Sequence, residues 1–355
     1  MECRVCGRPA AELIWLCGDC VRGASPRELS APHVRTRRAL GLPPRPPRAG
    51  ALCRLCANRC QIPEGGKGYC GLRVARAGRV AYPWKEGATA GLLHTYYDPI
   101  PTNCCAAWFC GQEAGKNLAV FFYGCNFDCL FCQNAQHKFL DEGELIPQRE
   151  LVARGLAPGV RCVCFFGGSP EPQLPFALRV ARQLVRESEG RVRICWEWNG
   201  AGNPALVRQA AELSLESGGI VKFDLKCWDE NLALALCGVS TRPSFDNFRL
   251  LAEEFLPRAR HPLLTATTLL VPGYVDEEEV GEIAEFIASF SPDIPYSLLV
   301  FHPAYCLADL PTTPLDQVIR CYRAVVEAGL RRVHVGNLHL LGLTFPAFLA
   351  LLEGE

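Results

Sequence analysis

The segment FFYGCNFDCLFCQN, residues 121–134, places three cysteines directly after a short apolar run that ends at Gly124. Cys125, Cys129 and Cys132 follow the spacing C-x3-C-x2-C. Thiols in such a group bind a metal, form disulfides or pack as small buried side chains. The apolar run has the length of a strand, and parallel sheets expose functional residues at their strand ends. We therefore interpret the three cysteines as metal ligands.

An iron-sulfur cluster explains why this segment offers three ligands rather than four. A 4Fe-4S cluster bound by three thiolates leaves one iron open for another ligand, and an open iron is a place for chemistry. Zinc with three cysteines would need a fourth ligand for a structural site, and His137 could provide it. Three cysteines that bind no metal are the remaining alternative.

Length and charge limit the broad class of protein. With 355 residues, of which 49% are hydrophobic, the chain can form one large α/β domain with an appendage. Lys plus Arg and Asp plus Glu both number 37, so net charge gives no reason to expect a nucleic-acid or anionic-membrane partner. The first residues contain no apolar run behind a basic leader, and no segment reaches about 18 uninterrupted apolar residues. We expect a soluble, cytoplasmic protein without a membrane partner.

Cysteine is the unusual residue in the composition, with 21 copies against a single methionine. In a secreted domain of under about 100 residues, this density would indicate disulfides. In a longer chain with C-x2-C spacings and no leader, metal ligation is the better interpretation, and an odd count also disfavours complete pairing.

From about residue 117 onward, short apolar runs alternate with amphipathic stretches of helix length. The runs are LAVFFYG, VRCVCFFGG, VRICWEWNG, GGIVKFDLK, LLTATTLLVPG and YSLLVFHP. They are mostly continuous, as strands covered on both faces require. Six such βα units predict an α/β fold, a partial (β/α)6 barrel with a Cys-rich N-terminal extension and chemistry at the carboxyl ends of its strands. A flat doubly wound sheet is the structural alternative.

We divide the chain into four segments. They are residues 1–24, a four-cysteine module like a zinc knuckle; 25–50, a Pro- and Arg-rich linker; 51–115, a Cys-rich accessory region; and 116–345, the core barrel. The linker prediction depends on GLPPRPPRAG, residues 41–50, whose prolines cannot continue a helix or a central strand.

Three further cysteine groups precede the core. The first is Cys3, Cys6, Cys17 and Cys20, whose paired C-x2-C spacing predicts a tetrahedral zinc site, with a rubredoxin-like iron site as the alternative. The second is Cys53, Cys56, Cys60 and Cys70, for which we expect either zinc or a second iron-sulfur cluster. The third is Cys104, Cys105 and Cys110, which could join the second group or bind an auxiliary cluster, and its role stays open.

The stretch CNFDCLFC resembles the signature of radical S-adenosylmethionine (SAM) enzymes, whose partial β/α barrel agrees with the predicted fold. FFGGSPEP is similar to the Gly-Gly-Glu-Pro motif of that superfamily, which engages the amino group of SAM. Gly167, Gly168 and Pro170 match this motif, whereas Ser169 replaces the usual Glu. The resemblance implies a 4Fe-4S cluster on Cys125, Cys129 and Cys132, with SAM bound beside residues 167–170.

Later segments resemble pyruvate formate-lyase activating enzyme and its relatives. By that resemblance, Asp224 and Lys226 are polar residues on the cofactor side, Glu197 and Asn199 face the ribose or a nearby cation, and His302 lies near SAM. Taken singly, Asp224 and Lys226 could equally form a strand-end ion pair, and His302 could be a satisfied core histidine. The leader CRLCANRC together with CQN is most similar to radical proteins of the AmmeMemoRadiSam system. PTNCCAAWFC, residues 101–110, departs from that group, which indicates a sister subfamily.

The resemblance implies a reaction in which the reduced cluster cleaves SAM to a 5'-deoxyadenosyl radical, which abstracts hydrogen from a substrate. We expect a protein substrate, either activated as a glycyl radical or modified on another side chain, and a one-electron reductant such as ferredoxin or flavodoxin. The alternatives are a small-molecule substrate in cofactor biosynthesis, or an electron carrier or scaffold without turnover. The Arg-rich arm from Arg35 to Arg48 does not by itself favour a nucleic-acid partner, because such arms are usually solvated linkers.

Overall fold

The computed structural model describes residues 1–102 and 104–353 of the chain. Its strands, in chain order, are β1 (Ala51–Leu52), β2 (Gln61–Ile62), β3 (Val74–Arg76), β4 (Arg79–Ala81), β5 (Ala90–Pro99), β6 (Lys116–Phe122), β7 (Glu144–Pro147), β8 (Val160–Gly167), β9 (Arg193–Trp198), β10 (Val221–Asp224), β11 (Leu264–Leu270), β12 (Tyr296–Val300) and β13 (Val333–Gly336). Its α-helices are α1 (Gly18–Arg22), α2 (Pro26–Leu29), α3 (Ala31–Ala39), α4 (Gln148–Gly155), α5 (Leu174–Ser188), α6 (Pro204–Ser217), α7 (Glu230–Cys237), α8 (Arg242–Phe255), α9 (Glu277–Ala288), α10 (Leu315–Glu327) and α11 (Phe345–Glu353).

The centre of the molecule is a nine-stranded sheet in the order β13-β12-β11-β10-β9-β8-β6-β5-β7. From β6 to β13 the neighbouring strands are parallel and, apart from β7 at the far edge, follow one another in chain order without a reversal. Right-handed crossovers that always advance in one direction place their helices on one face and curl the sheet into a barrel. The predicted partial barrel is therefore confirmed, and the flat doubly wound alternative, which needs a reversal of strand order, is excluded.

The two faces of each strand carry different side chains, because successive residues point to opposite sides. On the helix side, Trp196 stacks on Phe165 and Trp198, with ring centroids 4.7 and 5.5 Å apart. On the other side, the barrel interior, Glu197 pairs with the buried Lys222. The barrel interior is therefore polar enough for chemistry, while the apolar core lies between the sheet and its helices.

Several helices begin where the sequence offers a capping side chain. Asn203 accepts a hydrogen bond from the backbone of Ala205 at the start of α6, and Asp276 accepts one from Glu279 at the start of α9. Each satisfies a backbone N–H that the helix itself cannot pair. These caps fix where the chain leaves the carboxyl end of a strand and turns into the next helix.

Three strands of the sheet do not come from the six predicted βα units, and one of them, β13, continues the parallel series beside β12. β5 pairs antiparallel with β6 over its length, and β7 pairs antiparallel with β5 at the edge. β5 lies within the segment 51–115, so the boundary expected at residue 116 falls inside the sheet.

The segment 25–50 is more structured than a linker. It contains α2 and α3, and it buries the side chains of His33 and Arg37, each about 1% exposed. The prolines that motivated the linker prediction lie after α3, so they end this helix without preventing it. The Arg-rich arm is thus partly a packed element that reaches the barrel.

Candidate cluster and cofactor site

The sulfurs of Cys125, Cys129 and Cys132 line one cavity of about 160 Å³ at the carboxyl ends of the parallel strands. The polar side chains that the sequence predicts for cofactor binding also line it from two neighbouring strand ends, those of β9 and β10. They are Glu197, Asn199, Asp224 and Lys226. Gly167 and Gly168 form a wall without side chains, and Gly167 has a φ of +107°, which favours glycine. The structure thus brings most of the predicted site residues together.

The loop that carries the three thiols is fixed by its backbone. The amides of Asp128 and Leu130 donate to the carbonyls of Cys237 and Leu236, at 2.9 and 2.8 Å, where α7 ends. Gly124 begins the loop with a φ of +78°, and a Cβ placed there would lie 2.6 Å from a methyl carbon of Leu72. Only glycine fits at this turn, which explains the Gly before the first cysteine.

A buried ionic network surrounds Asp128, in the middle of the cluster loop. Its carboxylate lies 2.9 Å from His33 Nδ1 and 3.3 Å from Arg37 Nη1, and it also contacts the ammonium group of Lys138. Although burial opposes ionisation, the His33 hydrogen bond and the charges of Lys138 and Arg37 hold the pKa of Asp128 well below its usual range. Sequence reasoning missed this network, because two of its members come from a segment predicted to be a linker.

Without a metal, the buried thiols of the three-cysteine loop keep their protons. Burial raises the pKa of Cys132 to about 11, and the nearby Lys138 and Lys226 oppose this rise. Loading iron would replace the thiol protons, and the cationic groups would then balance the charge of the thiolates. The donor set therefore fits a cluster held by three cysteines.

The spacing of the sulfurs disfavours a single zinc ion at this cavity. Among the described residues, Cys125, Cys129 and Cys132 do not form a group whose ligand atoms all lie within 4.8 Å of one another. A tetrahedral zinc ion holds its thiolates about 3.8 Å apart, whereas a 4Fe-4S cluster binds each one through a different iron and holds them farther apart. His137 also lines the cavity, and burial lowers its pKa to about 3, so its imidazole is neutral.

Asn199 is held in place by two other side chains. Its amide nitrogen donates to Asn126 Oδ1 at 2.8 Å and to Ser169 Oγ at 3.1 Å. Ser169 is about 1% exposed, and neither it nor Pro170 lines the cavity among the residues that the structure describes. Where the superfamily motif has Glu, this chain therefore has a hydroxyl that orients a cavity residue from behind.

The remaining predicted site residues are Asp224, Lys226 and His302, of which only the first two line the described cavity. Asp224 and Lys226 form an ion pair, as the simpler interpretation expects, and both still line the cavity. Burial opposes the charge of Lys226, but Asp224 raises the pKa of this ammonium group. His302 is half-buried with Nδ1 3.2 Å from the carbonyl of Pro303, and it is not part of the described cavity lining.

A second residue that sequence reasoning missed lies directly behind the site. Glu171 is fully buried, and its Oε1 accepts a hydrogen bond from the Gly200 amide at 2.8 Å. No described residue pairs with its other oxygen, Oε2. Burial raises the pKa of Glu171 to about 7. Through its hydrogen bond with Gly200, Glu171 connects the Gly-Gly-Ser-Pro segment to the loop that follows β9.

The four N-terminal cysteines are grouped closely enough to hold one metal ion. The sulfurs of Cys3, Cys6, Cys17 and Cys20 all lie within 4.8 Å of one another. Cys6 Sγ is 3.5 Å from Cys17 Sγ and 3.6 Å from Cys20 Sγ, close to the separation of about 3.8 Å on tetrahedral zinc. Tyr274 attaches this module to the barrel, because its hydroxyl donates to the Leu16 carbonyl and accepts from the Ala11 amide.

The third cysteine group does not join the second. Cys104 and Cys110 line a separate cavity of about 100 Å³ deeper in the barrel, together with three thiols on β8 and β9, those of Cys162, Cys164 and Cys195. Lys222 Nζ lies there 3.0 Å from Cys104 Sγ and 2.8 Å from Glu197 Oε2. Phe166 and Glu197 line both cavities, so the lower cavity is adjacent to the predicted cofactor site.

Comparison with known proteins agrees with the geometry. Residues 119–287 match the model of the Radical SAM superfamily. Over 293 residues the chain is 24% identical to an uncharacterized protein of Methanocaldococcus jannaschii, with 81% of each chain covered. Over 139 residues it is 34% identical to the isethionate sulfite-lyase activating enzyme of Desulfovibrio desulfuricans, covering 38% of this chain and 40% of that enzyme.

Two solved structures are also similar. A domain of pyruvate-formate lyase-activating enzyme from Bacteroides vulgatus aligns with a TM-score of 0.40 and 19% identity, covering 49% of this chain and 98% of that one. SuiB of Streptococcus suis aligns with a TM-score of 0.46 and 15% identity, covering 63% of this chain and 49% of that one.

The matched segment contains the three-cysteine loop and the ends of β8, β9, β10 and β11, which line the cavity with it. Within the described residues, no helix is both long and apolar enough to cross a membrane. Residues 119–287 therefore form a radical SAM domain, and over 139 residues the chain is similar to an activating enzyme.

Proposed function

We propose that Cys125, Cys129 and Cys132 hold a 4Fe-4S cluster, and that the enzyme uses it with SAM to abstract hydrogen from a protein substrate. The observation that carries this proposal is the single cavity in which the three thiols meet polar side chains from the next strand ends. When bound, the cluster and SAM supply a 5'-deoxyadenosyl radical. The residues of the chain bind and orient both groups and keep water away from them.

Each part of the cavity has a task in this proposal. Gly167 and Gly168 leave room for the methionine part of SAM against bare backbone. Asn199, oriented by Ser169, presents polar atoms at a fixed position, and Glu197 faces the sugar or a nearby cation. Lys226, kept charged by Asp224, lies near the thiolates and balances part of their charge.

Apolar residues of the cluster loop exclude water from the site. Phe127 and Phe131 line the cavity and are 3% and 2% exposed, while Leu130 is fully buried beneath them. Excluding water prevents loss of a reactive intermediate to solvent, and a dry shell also tunes the potential of a cluster. Hydrogen abstraction by a radical needs no acid-base pair.

A protein substrate is the favoured class because of one relative. The isethionate sulfite-lyase activating enzyme, by its name, acts on another enzyme, and 34% identity over 139 residues links it to this chain. We infer a similar role here, with ferredoxin or flavodoxin as the one-electron donor. A small-molecule substrate is the second candidate, favoured by the cavity below Glu197, which is suited to enclosing a small group.

The cofactor part of the proposal is tested by electron paramagnetic resonance on anaerobically reconstituted, reduced protein. Adding SAM should change the spectrum of the cluster, because SAM becomes a ligand of the open iron. The variant Asn199→Ala should require more SAM for the same change. A spectrum that SAM leaves unaltered, in a sample with a loaded cluster, would contradict the proposal.

The substrate class is tested by following the abstracted hydrogen. Cells of the source organism are grown on glycine deuterated at its α carbon, and their extract is separated into macromolecules and small molecules. If a glycyl residue of a protein is the substrate, the macromolecular fraction should transfer deuterium to 5'-deoxyadenosine. Transfer from the small-molecule fraction alone would instead support the second candidate.

A further inference from the structure

The cysteines Cys53, Cys56, Cys60 and Cys70 surround a small closed space beside the barrel. The hairpin of β1 and β2 carries Cys53, Cys56 and Cys60, Cys70 lies between β2 and β3, and the Cys53 amide donates to the Cys60 carbonyl at 2.8 Å. Cys53, Cys60 and Cys70 are each less than about 9% exposed, while Cys56 is half-buried. Four thiols thus converge in a folded setting, unlike thiols that are scattered through a core.

The spacing of these four sulfurs differs from that of the N-terminal module. Among the described residues, only the N-terminal cysteines form an all-thiol group whose sulfurs lie within 4.8 Å of one another. The sulfurs of the second group do not all lie within 4.8 Å of one another, and neither do those of the three-cysteine loop. A single zinc ion would draw its thiolates to about 3.8 Å, while a 4Fe-4S cluster separates them by binding each through a different iron. The second group therefore lacks the close spacing of the N-terminal module, and wider spacing is what a 4Fe-4S cluster requires.

Groups beside this space are suited to an anionic cluster. The Tyr69 amide donates to Cys60 Sγ at 3.4 Å, and hydrogen bonds of this kind stabilise cluster sulfurs. Arg73 lines the space, and although its Nη2 donates to the Val80 carbonyl at 3.1 Å, its buried Nε has no partner within the described structure. A buried donor without a partner is unfavourable, so its presence points to a ligand that accepts the hydrogen bond.

We propose that Cys53, Cys56, Cys60 and Cys70 bind a second 4Fe-4S cluster, closed by four thiolates, that passes single electrons to the cluster at Cys125. The first part of this inference stands on the cysteine group alone. The second part rests on the proposed function, because it needs a cluster at Cys125, Cys129 and Cys132. With no open iron, the second cluster has no place for SAM and serves electron transfer only.

The second cysteine group touches the three-cysteine loop directly. Asn58, which lines the space, donates to the Asn126 carbonyl at 2.6 Å, next to Cys125. The Cys70 carbonyl would lie 3.1 Å from a Cβ on Gly124, the residue before Cys125. Two loops in such contact provide a short path for an electron.

Tyr69 provides a second connection between the two groups. It directly precedes Cys70, and its ring packs against Arg37, whose guanidinium carbon is 3.5 Å from the ring centroid. Arg37 in turn pairs with Asp128 in the cluster loop. The phenol oxygen of Tyr69 is buried without a partner among the described residues. The Tyr69 side chain therefore lies between the second cysteine group and the three-cysteine loop.

Electron transfer from the donor to the second cluster, and from there to the first cluster, neither forms nor breaks a covalent bond. A one-electron protein donor, ferredoxin or flavodoxin, reduces the second cluster and is itself oxidised. The second cluster then returns to its oxidised state as the first cluster is reduced, and the electron is finally consumed when SAM is cleaved.

The metal content of the chain tests the first part of the inference. After anaerobic reconstitution, the wild-type protein should contain about eight iron atoms, with matching sulfide, and about one zinc ion. A triple variant with Cys125, Cys129 and Cys132 changed to Ala should keep about four iron atoms, and adding SAM should not alter its spectrum. Cys321→Ala, which removes a buried thiol in α10, is the control and should keep all the iron. Loss of all iron from the triple variant, or a second zinc in its place, would overturn the inference.

The electron donor tests the second part. Cys56→Ser should keep the cleavage of SAM by dithionite, a small reductant that reaches the first cluster by itself, but lose most of the cleavage driven by flavodoxin. Asn58→Ala keeps all ligands and should lower the flavodoxin-driven rate by about tenfold, with the iron content unchanged. Equal losses with both donors would show that the second cluster is not a relay, and no cleavage by the wild type with either donor would instead refute the proposed function.

Discussion

His33 Nδ1 lies 2.9 Å from a carboxylate oxygen of Asp128, which joins helix α3 to the middle of the three-cysteine loop across 95 positions of sequence. Both side chains are about 1% exposed. The other ring nitrogen of His33 contacts the Ala235 carbonyl at 2.9 Å, in helix α7. One histidine therefore ties the N-terminal arm, the cluster loop and the barrel together, and the carboxylate between Cys125 and Cys129 is held on several sides.

Changing Asp128 to Asn should destabilise both the fold and the cluster loop. The change leaves the buried charges of Arg37 and Lys138 without a counter-ion, and breaking a buried ion pair in this way costs about 3–5 kcal/mol. We expect a lower free energy of unfolding and less iron bound per chain. Urea unfolding and iron analysis of the reconstituted protein measure the two effects.

Asp316→Asn is the matched control for this change. Asp316 pairs with Arg320 on the surface of α10, where its side chain is 71% exposed. Exposed ion pairs contribute little to stability, so this variant should resemble the wild type in both measurements. If Asp128→Asn were as stable and as iron-rich as the control, the network would not support the site.

Glu171 should make the stability depend on pH between about pH 5 and about pH 8. Burial raises the pKa of Glu171 to about 7 in the folded protein, above its value in the unfolded chain. The folded state therefore binds the extra proton in this window, so this contribution is complete at low pH and is lost as the pH rises. The loss amounts to about 3 kcal/mol over the whole window.

Glu171→Gln should remove this pH dependence while it preserves the shape of the side chain. The free energy of unfolding of the variant, measured at about pH 5 and about pH 8, should change less than that of the wild type. Glu282→Gln, at an exposed position of α9, is the control and should follow the wild type. If the free energy of unfolding changed equally with pH in all three proteins, Glu171 would not be the source of this pH dependence.

Features that a few neighbouring residues encode could be predicted from the sequence, whereas features that depend on residues far apart in the chain could not. The βα runs and the three-cysteine loop are each encoded in a few neighbouring residues, and the structure has them as expected. β5 was missed because it lies near the sheet edge and exposes Tyr96 and Tyr97, so its sequence lacks the continuous apolar run of a buried strand.

The partners of Asp128 were missed for a different reason. His33 and Arg37 lie far away in sequence, and nothing in their neighbours indicates a contact with the cluster loop. Only the packing of α3 against the barrel creates that contact. The same holds for Ser169, whose role as a support of Asn199 follows from the position of two loops rather than from the motif in which it stands.

Ser169→Ala should weaken the binding of SAM about fivefold, because the Asn199 amide loses a hydrogen bond worth about 1 kcal/mol that orients it. The amount of SAM needed to change the spectrum of the reduced cluster measures this effect. Ser188→Ala is the control, since the buried hydroxyl of Ser188 has no partner among the described residues. Equal SAM requirements in the two variants would show that Ser169 does not position Asn199.

Cys6→Ser should remove zinc from the N-terminal module without affecting the iron. The four sulfurs of this module are spaced for one ion, and so small a unit depends on its metal to fold. We expect zinc to fall from about one ion per chain to none, and protease to cut residues 1–24 faster. Cys306→Ser, at a half-buried thiol outside the cysteine groups, is the control. Unchanged zinc in Cys6→Ser would contradict the assignment.

The most direct test of the central claim is the formation of 5'-deoxyadenosine from SAM by reduced, reconstituted protein. The account predicts that the wild type and Cys321→Ala both form this product with dithionite, and that Cys129→Ala forms none. Absence of 5'-deoxyadenosine from wild-type protein whose iron and sulfide prove a loaded cluster, or equal amounts from Cys129→Ala, would contradict the radical SAM mechanism for this chain.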